Sequence, residues 1–305
     1  MTDLVRAQAE RFAALDPRLP PFDDPPEGEE LSAALPDGRE VGGVLYRAYH
    51  GPGTPESLWA ARENWELTPV LGNTGAAGMA ALLGALRRRL DHTATGADSA
   101  CVVAWPSRDA DVTRVLLDHG LVPLNALAVR PNRPPEAEAP NGVLVRRARP
   151  VDEEEVVALR LAELEYSALV GSNVLRQDAV DVVTADVRRG LVFGGRSWLA
   201  EMDGVAVGLA SCGWSTPAPG SAIAGRLTEG RWGYVGTLSV RRDARGGGVG
   251  RALMAVAHRE LNLDDVPGTF LFYSPVNPLS SVFWHRQGYR PLWTFWEVRP
   301  AGALR

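Results

Sequence analysis

The sequence contains no lysine; all 32 of its basic residues are arginine. That excludes Schiff-base chemistry on a lysine amine, and it excludes a P-loop, which closes on Gly-Lys-Ser/Thr. Cysteine is nearly as scarce. Cys101 and Cys212 both sit in apolar, strand-like surroundings and read as buried free thiols rather than a disulfide across two domains in a reducing cytosol. No apolar run approaches a membrane span: the longest, around Gly78 to Leu86, falls far short of the ~20 residues required. The start, Met1-Thr2-Asp3-Leu4, lacks a charged segment followed by an apolar core, so no secretion signal is visible. Excess positive charge is absent as well. A formal net charge of −5 argues against a nucleic-acid partner, which calls for a basic face. Together these absences predict a cytoplasmic protein with neither membrane nor nucleic acid as partner.

What is present begins with size. A chain of 305 residues with 45% hydrophobic content suits two domains of about 150 residues each. Within it one short segment stands out, Arg245-Gly246-Gly247-Gly248-Val249-Gly250. It follows an apolar strand-like run, Tyr234 to Val240, and leads into a helix-like run, Arg251 to Leu261. Strand, glycine-dense turn and helix together aim several backbone N–H groups and a positive helix end at a phosphate. Glycine permits close backbone approach and φ > 0, and Arg245 adds a charge. The turn reads as a pyrophosphate cradle or, in the plainer reading, as a glycine-rich surface loop without a ligand. A dinucleotide-binding fingerprint fits poorly, because it belongs after the first strand of a fold and these glycines come late.

The pattern Arg-x-x-Gly-x-Gly, after a strand ending Leu238-Ser239-Val240 and before a helix, resembles the acyl-CoA signature of the GCN5-related N-acetyltransferases, the GNAT superfamily. About 27 residues after Gly250 comes a second pattern similar to one in that family: Asn277, then Phe283-Trp284, then Gly288-Tyr289. The resemblance covers residues 143–299. It implies an α/β (α+β) fold of mixed, mostly antiparallel sheets flanked by helices, with the acyl-CoA cleft between two splayed parallel strands, Tyr234–Val240 and Gly268–Tyr273.

Around those motifs the second half reads as a strand from Val143 to Arg147 and a helix N-capped by Asp152, with Glu153, Glu154 and Glu155 in its first turn. A second helix covers roughly Gln177 to Arg189. A hairpin follows about Asp203-Gly204, then a helix from Leu279 to Gln287 and a final strand pair from Tyr289 to Arg299. The first half carries a fainter copy. Asp109 precedes Gly120 by eleven residues as Asn277 precedes Gly288, and both halves close on Val-Arg-Pro. Asp37-Gly38 mirrors Asp203-Gly204, and Met79 to Leu90 mirrors the helix from Gly250 to Leu261. The copy has Thr74 in the place of Arg245, and Asp3 to Leu15 could add one helix. The expected layout is a degenerate domain over 1–133, a proline-rich linker over 134–142 and an acetyl-CoA-binding domain over 143–305.

For the site, the resemblance implies that Leu238, Ser239 and Val240 present backbone groups to the acetyl and pantetheine portions of acetyl-CoA. It assigns the pyrophosphate to Arg245, Gly246, Gly247, Gly248, Val249, Gly250 and Arg251. Asn277 and Trp284 would meet the pantetheine arm. Many relatives carry a tyrosine acid where this chain has Trp284, so Tyr273 and Ser274 become the candidate donors to the leaving thiolate. Glu201, Glu229 and Glu165 are candidate bases, and His285 reads as a surface residue. Trp214 and Trp232, flanking a Pro/Gly/Ala-rich loop, are candidates to line an apolar acceptor site. No metal is expected. The function implied is transfer of an acetyl group from acetyl-CoA to a small amine by a monomer or homodimer. A catalytically idle acyl-CoA-binding sensor or scaffold is the alternative. Lysine-free composition marks a GC-rich bacterial gene and leaves the chain no lysine to acetylate on itself.

Overall fold

A computed structural model of the chain describes residues 2–23, 25–132, 142–262 and 265–305. Most of the expected linker, 134–141, lies outside the described residues. The first half runs α1 (Thr2–Leu15), β1 (Glu29–Ala34), β2 (Glu40–Tyr49), β3 (Glu63–Val70), α2 (Gly75–Asp91), β4 (Ser99–Pro106), α3 (Ala110–Asp118) and β5 (Val122–Pro131). The second runs β6 (Leu144–Arg147), α4 (Glu153–Leu169), α5 (Ala179–Val192), β7 (Arg196–Met202), β8 (Val205–Ser215) and β9 (Trp232–Val240). It ends with α6 (Val249–Leu261), β10 (Gly268–Tyr273), α7 (Pro278–Arg286) and β11 (Arg290–Val298). Hairpin, third strand, helix, fourth strand, helix and last strand recur in the same order in both halves.

All strands join one eleven-stranded sheet, ordered β1-β2-β3-β4-β11-β5-β10-β9-β8-β7-β6. Its centre departs from the sequence expectation. Residues 289–299 do not form a strand pair: β11 is a single strand, antiparallel to β4 and β5, while β5 is antiparallel to β10 and β11. Each half therefore inserts its last strand beside the next-to-last strand of the other. Alternating Trp293, Phe295 and Glu297 carry no mark of which neighbour they will meet, because any antiparallel partner satisfies the same period of two. Leu127 on β5 and Phe270 on β10, both buried, lie in one continuous core with Leu67, Val103 and Leu292.

Local chemistry explains the outer elements. Asp203 and Gly204 both adopt positive φ (51° and 76°), as the tightest hairpin turn requires. Asp152 departs from its expected role. No side-chain hydrogen bond from it caps α4. Its carboxylate instead accepts from both Nη atoms of Arg146 at 2.8 Å and from the Arg149 backbone N–H at 2.7 Å. The guanidinium holds this carboxyl down at about 2. Cys101 is buried and Cys212 partly so; both are free, and burial pushes each thiol up to about 12. Among the described residues, no helix is long and apolar enough to cross a membrane.

Because the core crosses the exchanged strands without a break, the chain is expected to unfold in one cooperative transition. Two resolved transitions in thermal calorimetry would contradict a shared core. Leu127→Ala, at a fully buried position of β5, is expected to lower the stability of the whole chain by about 2–5 kcal/mol.

Candidate functional site

β9 and β10 run parallel but pair at only two positions, Gly233↔Thr269 and Tyr234↔Phe270. Beyond Tyr234 no further pair joins them. A bulge on the other side of β9 accompanies the divergence: Val235 pairs with Cys212 and Thr237 with Ser211, which leaves Gly236 as an extra residue. An extra residue bends a strand and increases its twist, here at the place where β9 leaves β10. Leu238, Ser239 and Val240 line the resulting gap, which opens into a continuous cavity of about 2330 Å³ reaching across both halves.

After β9 the chain makes a short 3-10 turn, Arg242–Ala244, and enters the glycine segment. Gly246 and Gly248 both have φ +85°, a conformation that costs a non-glycine residue about 1–2 kcal/mol. Gly247 is different. Its φ is not positive, and a Cβ there would meet only the Ala244 carbonyl at an ordinary 3.7 Å, so the protein's own packing does not require glycine. Gly248 is the left-handed residue before α6, so the first N–H groups of that helix point out of its end. Arg245 is exposed, and two contacts aim it: its Nε donates to the Val240 carbonyl at 3.1 Å, and its guanidinium lies 5.0 Å from the Tyr166 ring centre. Val249, Gly250 and Arg251 complete the rim.

On the other side of the gap, Asn277 caps α7, its Oδ1 accepting from the N–H groups of Leu279 (3.0 Å) and Ser280 (3.2 Å). That role leaves only the side-chain NH2 for a ligand. Trp284 is buried edge-on between Phe283 (4.9 Å) and Tyr289 (5.6 Å). His285 is exposed, as expected. Tyr273 and Ser274 border the cavity where β10 ends. Burial raises the Tyr273 phenol above its ordinary value, and Ser274 Oγ is buried without a hydrogen-bond partner.

The expected bases lie elsewhere. Glu201 is held by Arg146 at 2.7 Å on β7 and does not border the cavity. Glu229 and Glu165 are exposed and outside it too. Among the carboxylates that do border it, Glu163 on the inward face of α4 lies beside Tyr234, where the two strands part. Burial pushes its carboxyl up to about 7, against the opposing pull of the Ser167 hydroxyl (3.0 Å) and Arg160. Burial raises the Tyr234 phenol, with a smaller push from nearby Glu163, and that ring stacks on Phe270 at 4.9 Å where β9 and β10 begin to part. The signal in the sequence was a glutamate on the stripe of Val156, Leu159 and Ser167, at helical spacing inside an otherwise core-facing row. Nor do the loop tryptophans line the cavity. Trp232 Nε1 donates to the Thr228 carbonyl at 3.0 Å, and Trp214 faces the Arg231 guanidinium at 4.6 Å.

In the equivalent place in the first half, side chains of the chain itself take the backbone groups beyond the paired strands. β3 and β4 pair from Glu63↔Ser99 to Leu67↔Val103. Past that point Gln8 of α1, fully buried, donates to the Pro69 carbonyl at 2.9 Å and accepts from the Leu71 N–H at 2.6 Å. Arg11 donates to Asp109 at 2.6 Å and crowds Gly75, where a Cβ would come within 3.3 Å of its Nη1. Asp109, the counterpart of Asn277, also accepts from Trp105 Nε1 at 3.0 Å.

Gly248→Ala is expected to destabilise the protein by about 1–2 kcal/mol, and Gly247→Ala to leave its stability unchanged; denaturant titration compares them. Gln8→Ala strands the Pro69 carbonyl and Leu71 N–H and is expected to cost about 1–3 kcal/mol in the same measurement.

Residues 174–289 match the profile of the family described as Acetyltransferase (GNAT) family. No curated protein matches the chain significantly. Among solved structures, the chain is similar to a tandem GNAT protein from the clavulanic acid biosynthesis pathway, determined without AcCoA. That likeness has 17% identity over 98% of this chain and 95% of the other, with a TM-score of 0.48. It is also similar to a GCN5-related N-acetyltransferase from Sphaerobacter thermophilus, at 16% identity over 89% of this chain and 82% of the other, with a TM-score of 0.48. A third is a GCN5-related N-acetyltransferase from Kribbella flavida, at 17% identity over 99% and 98%, with a TM-score of 0.44. With its parted parallel strands and glycine turn inside the matched segment, the chain carries a domain of the acetyltransferase (GNAT) family over residues 174–289.

Proposed function

We propose that the chain transfers an acyl group from acyl-CoA to the amine of a small molecule, in the gap between β9 and β10. The observation that carries this reading is a partly buried carboxylate, Glu163, lining the cavity beside Tyr234, where those two strands part. The glycine turn suits the diphosphate: Gly246 and Gly248 adopt positive φ, Gly247 leaves room that a Cβ would occupy, and Arg245 stands at the rim. Beyond Tyr234, β9 has backbone groups unmatched by β10, suited to a pantetheine arm and to a thioester oxygen that gains negative charge as an amine attacks. Acyl-CoA supplies the activated carbonyl.

Within this reading, Glu163 accepts the proton that the amine nitrogen loses as its bond to the carbonyl carbon forms. Tyr273 gives a proton to the sulfur as the carbon–sulfur bond breaks. Burial keeps that phenol protonated through the neutral range, as a donor needs. The first half acts as scaffold: with Gln8 and Arg11 filling its cleft, one acyl-CoA binds per chain.

Calorimetric titration with acetyl-CoA is expected to give one site per chain. Arg245→Ala is expected to weaken that binding by about 1.5–3 kcal/mol, roughly 10–150-fold. Thiol release across a panel of amines tests transfer itself; acetyl-CoA binding with no release for any amine would leave only the binding protein without turnover.

A carboxyl at about 7 is protonated below that pH and unable to act as a base, so kcat/KM is expected to rise with pH through about 7 and then level. Glu163→Gln is expected to lower kcat and abolish the rise. The same shift has a sign in stability. The native carboxyl binds its proton more tightly than the unfolded one, so its contribution is fully present below the ordinary value of 4.5 and is lost as pH rises through about 7. Glu163→Gln should therefore gain stability over the wild type as pH is raised across that window.

A further inference from the structure

The cavity continues past the acyl-transfer gap along one face of the sheet. Cross-strand pairs place Glu66 beside Val102, Ala104 beside Phe295, and Phe295 beside Asn125. Phe272 and Tyr234 continue the same wall toward the gap. Aromatic contacts mark the route: Phe295 lies 5.7 Å from Phe272, and Phe272 lies 6.5 Å from Tyr234, between ring centres. At the far end Arg226 covers this wall from the loop between β8 and β9, its guanidinium 5.1 Å from the Phe295 ring centre.

Arg226 is held firmly. Ile223 and Leu227 on either side are buried in the core, and the Arg226 carbonyl accepts from Trp293 Nε1 at 2.8 Å. Its charge, by contrast, is poorly met. Nη1 donates to the Ala224 carbonyl at a long 3.3 Å, and Nε is buried without a hydrogen-bond partner. Among the described residues no carboxylate lies within ion-pair distance; Glu66 is near enough only to act through space. Burial pulls the guanidinium below its ordinary value. Asn125 Oδ1, across from Phe295, is likewise buried without a partner. A guanidinium at a cavity wall with donors to spare is costly unless an anion meets it.

We infer that Arg226 receives a carboxylate on the amine acceptor, so that the preferred substrates are amines carrying a carboxylate several bonds from the reacting nitrogen. The anion is a carboxylate rather than a phosphate dianion, because Arg226 carries a single positive charge that Glu66 already offsets in part, too little to meet two negative charges. A planar carboxylate also matches the guanidinium edge. The spacing follows from the wall: three aromatic contacts separate Arg226 from Tyr234, so an α-amino acid is too short and an ω-amino acid of middle length spans the distance. Phe272 and Phe295 pack the methylene chain between the two ends.

This inference rests on the proposed transfer reaction, and its test separates the two. Thiol release from acetyl-CoA is measured with ω-amino acids of about four to twelve carbons and with the matching ω-amino amides. Calorimetry measures binding of the same compounds to the CoA-loaded protein. At one or more lengths the acid is expected to exceed its amide by about tenfold or more in kcat/KM, or in affinity. Arg226→Gln is expected to erase that difference while leaving the acetyl-CoA dissociation constant unchanged. Arg226→Lys, which keeps the charge, should retain part of it, and Glu66→Gln should enlarge it. Equal use of acids and amides at every length would overturn the carboxylate assignment while upholding transfer, as would a preference that survives Arg226→Gln. Acids that bind better than amides without any thiol release would uphold the assignment and remove the transfer reading.

Discussion

The exchange of β5 and β11 is the constraint on which the rest of the molecule depends. Each strand hydrogen-bonds mainly outside its own half, so neither half completes its sheet alone. An unpaired strand edge in the middle of an apolar core would leave a row of N–H and C=O groups unsatisfied, and the exchange removes both such edges at once. The same exchange makes one face continuous from Glu66 to Tyr234. A cavity that would otherwise end at a domain border thereby becomes a single space with a glycine turn at one end and Arg226 at the other.

Two halves with the same order of elements have come to use their clefts differently, and the cause is local. In the second half, Gly236 bulges out of β9 and the strand leaves β10 after two pairs. In the first, five pairs hold β3 to β4, and the remaining backbone groups are taken by the side-chain amide of Gln8. An amide side chain can both donate and accept, as a peptide unit does, so Gln8 takes the place of a strand beside Pro69 and Leu71. Arg11 and Asp109 close the outer end by a charged pair. Together these contacts make the first half a buttress for the exchanged strands.

Burial of charge sets the chemistry of the shared cavity. Glu163 and Arg226 both border it, and in both burial opposes the charged form more strongly than the neighbouring groups favour it. The carboxyl is shifted into the range where a base gains and loses its proton near neutrality. The guanidinium stays charged, since its ordinary value is far above neutral, and retains donors for an anion. Asp152, by contrast, meets Arg146 directly and is fixed as a structural anion.

Much was legible in the residues alone. Periodicity and turn chemistry located β6 through β10 and the helices of the second half within a few residues. Arg245 to Gly250 marked the turn before α6 by its run of glycines, two of which adopt φ +85°. Local sequence determines such features, since a turn or an amphipathic helix depends on residues a few positions apart. The partner of β11, the hydrogen bonds of Gln8, and the place of Glu163 at the cavity, which Glu201, Glu229 and Glu165 do not border, were not legible. Each depends on groups brought together from distant parts of the chain: Gln8 meets residues 61 and 63 positions away. A carboxylate's pKa is set by what surrounds it in space, and strand pairing by which edge is left open. Those the tertiary structure alone decided.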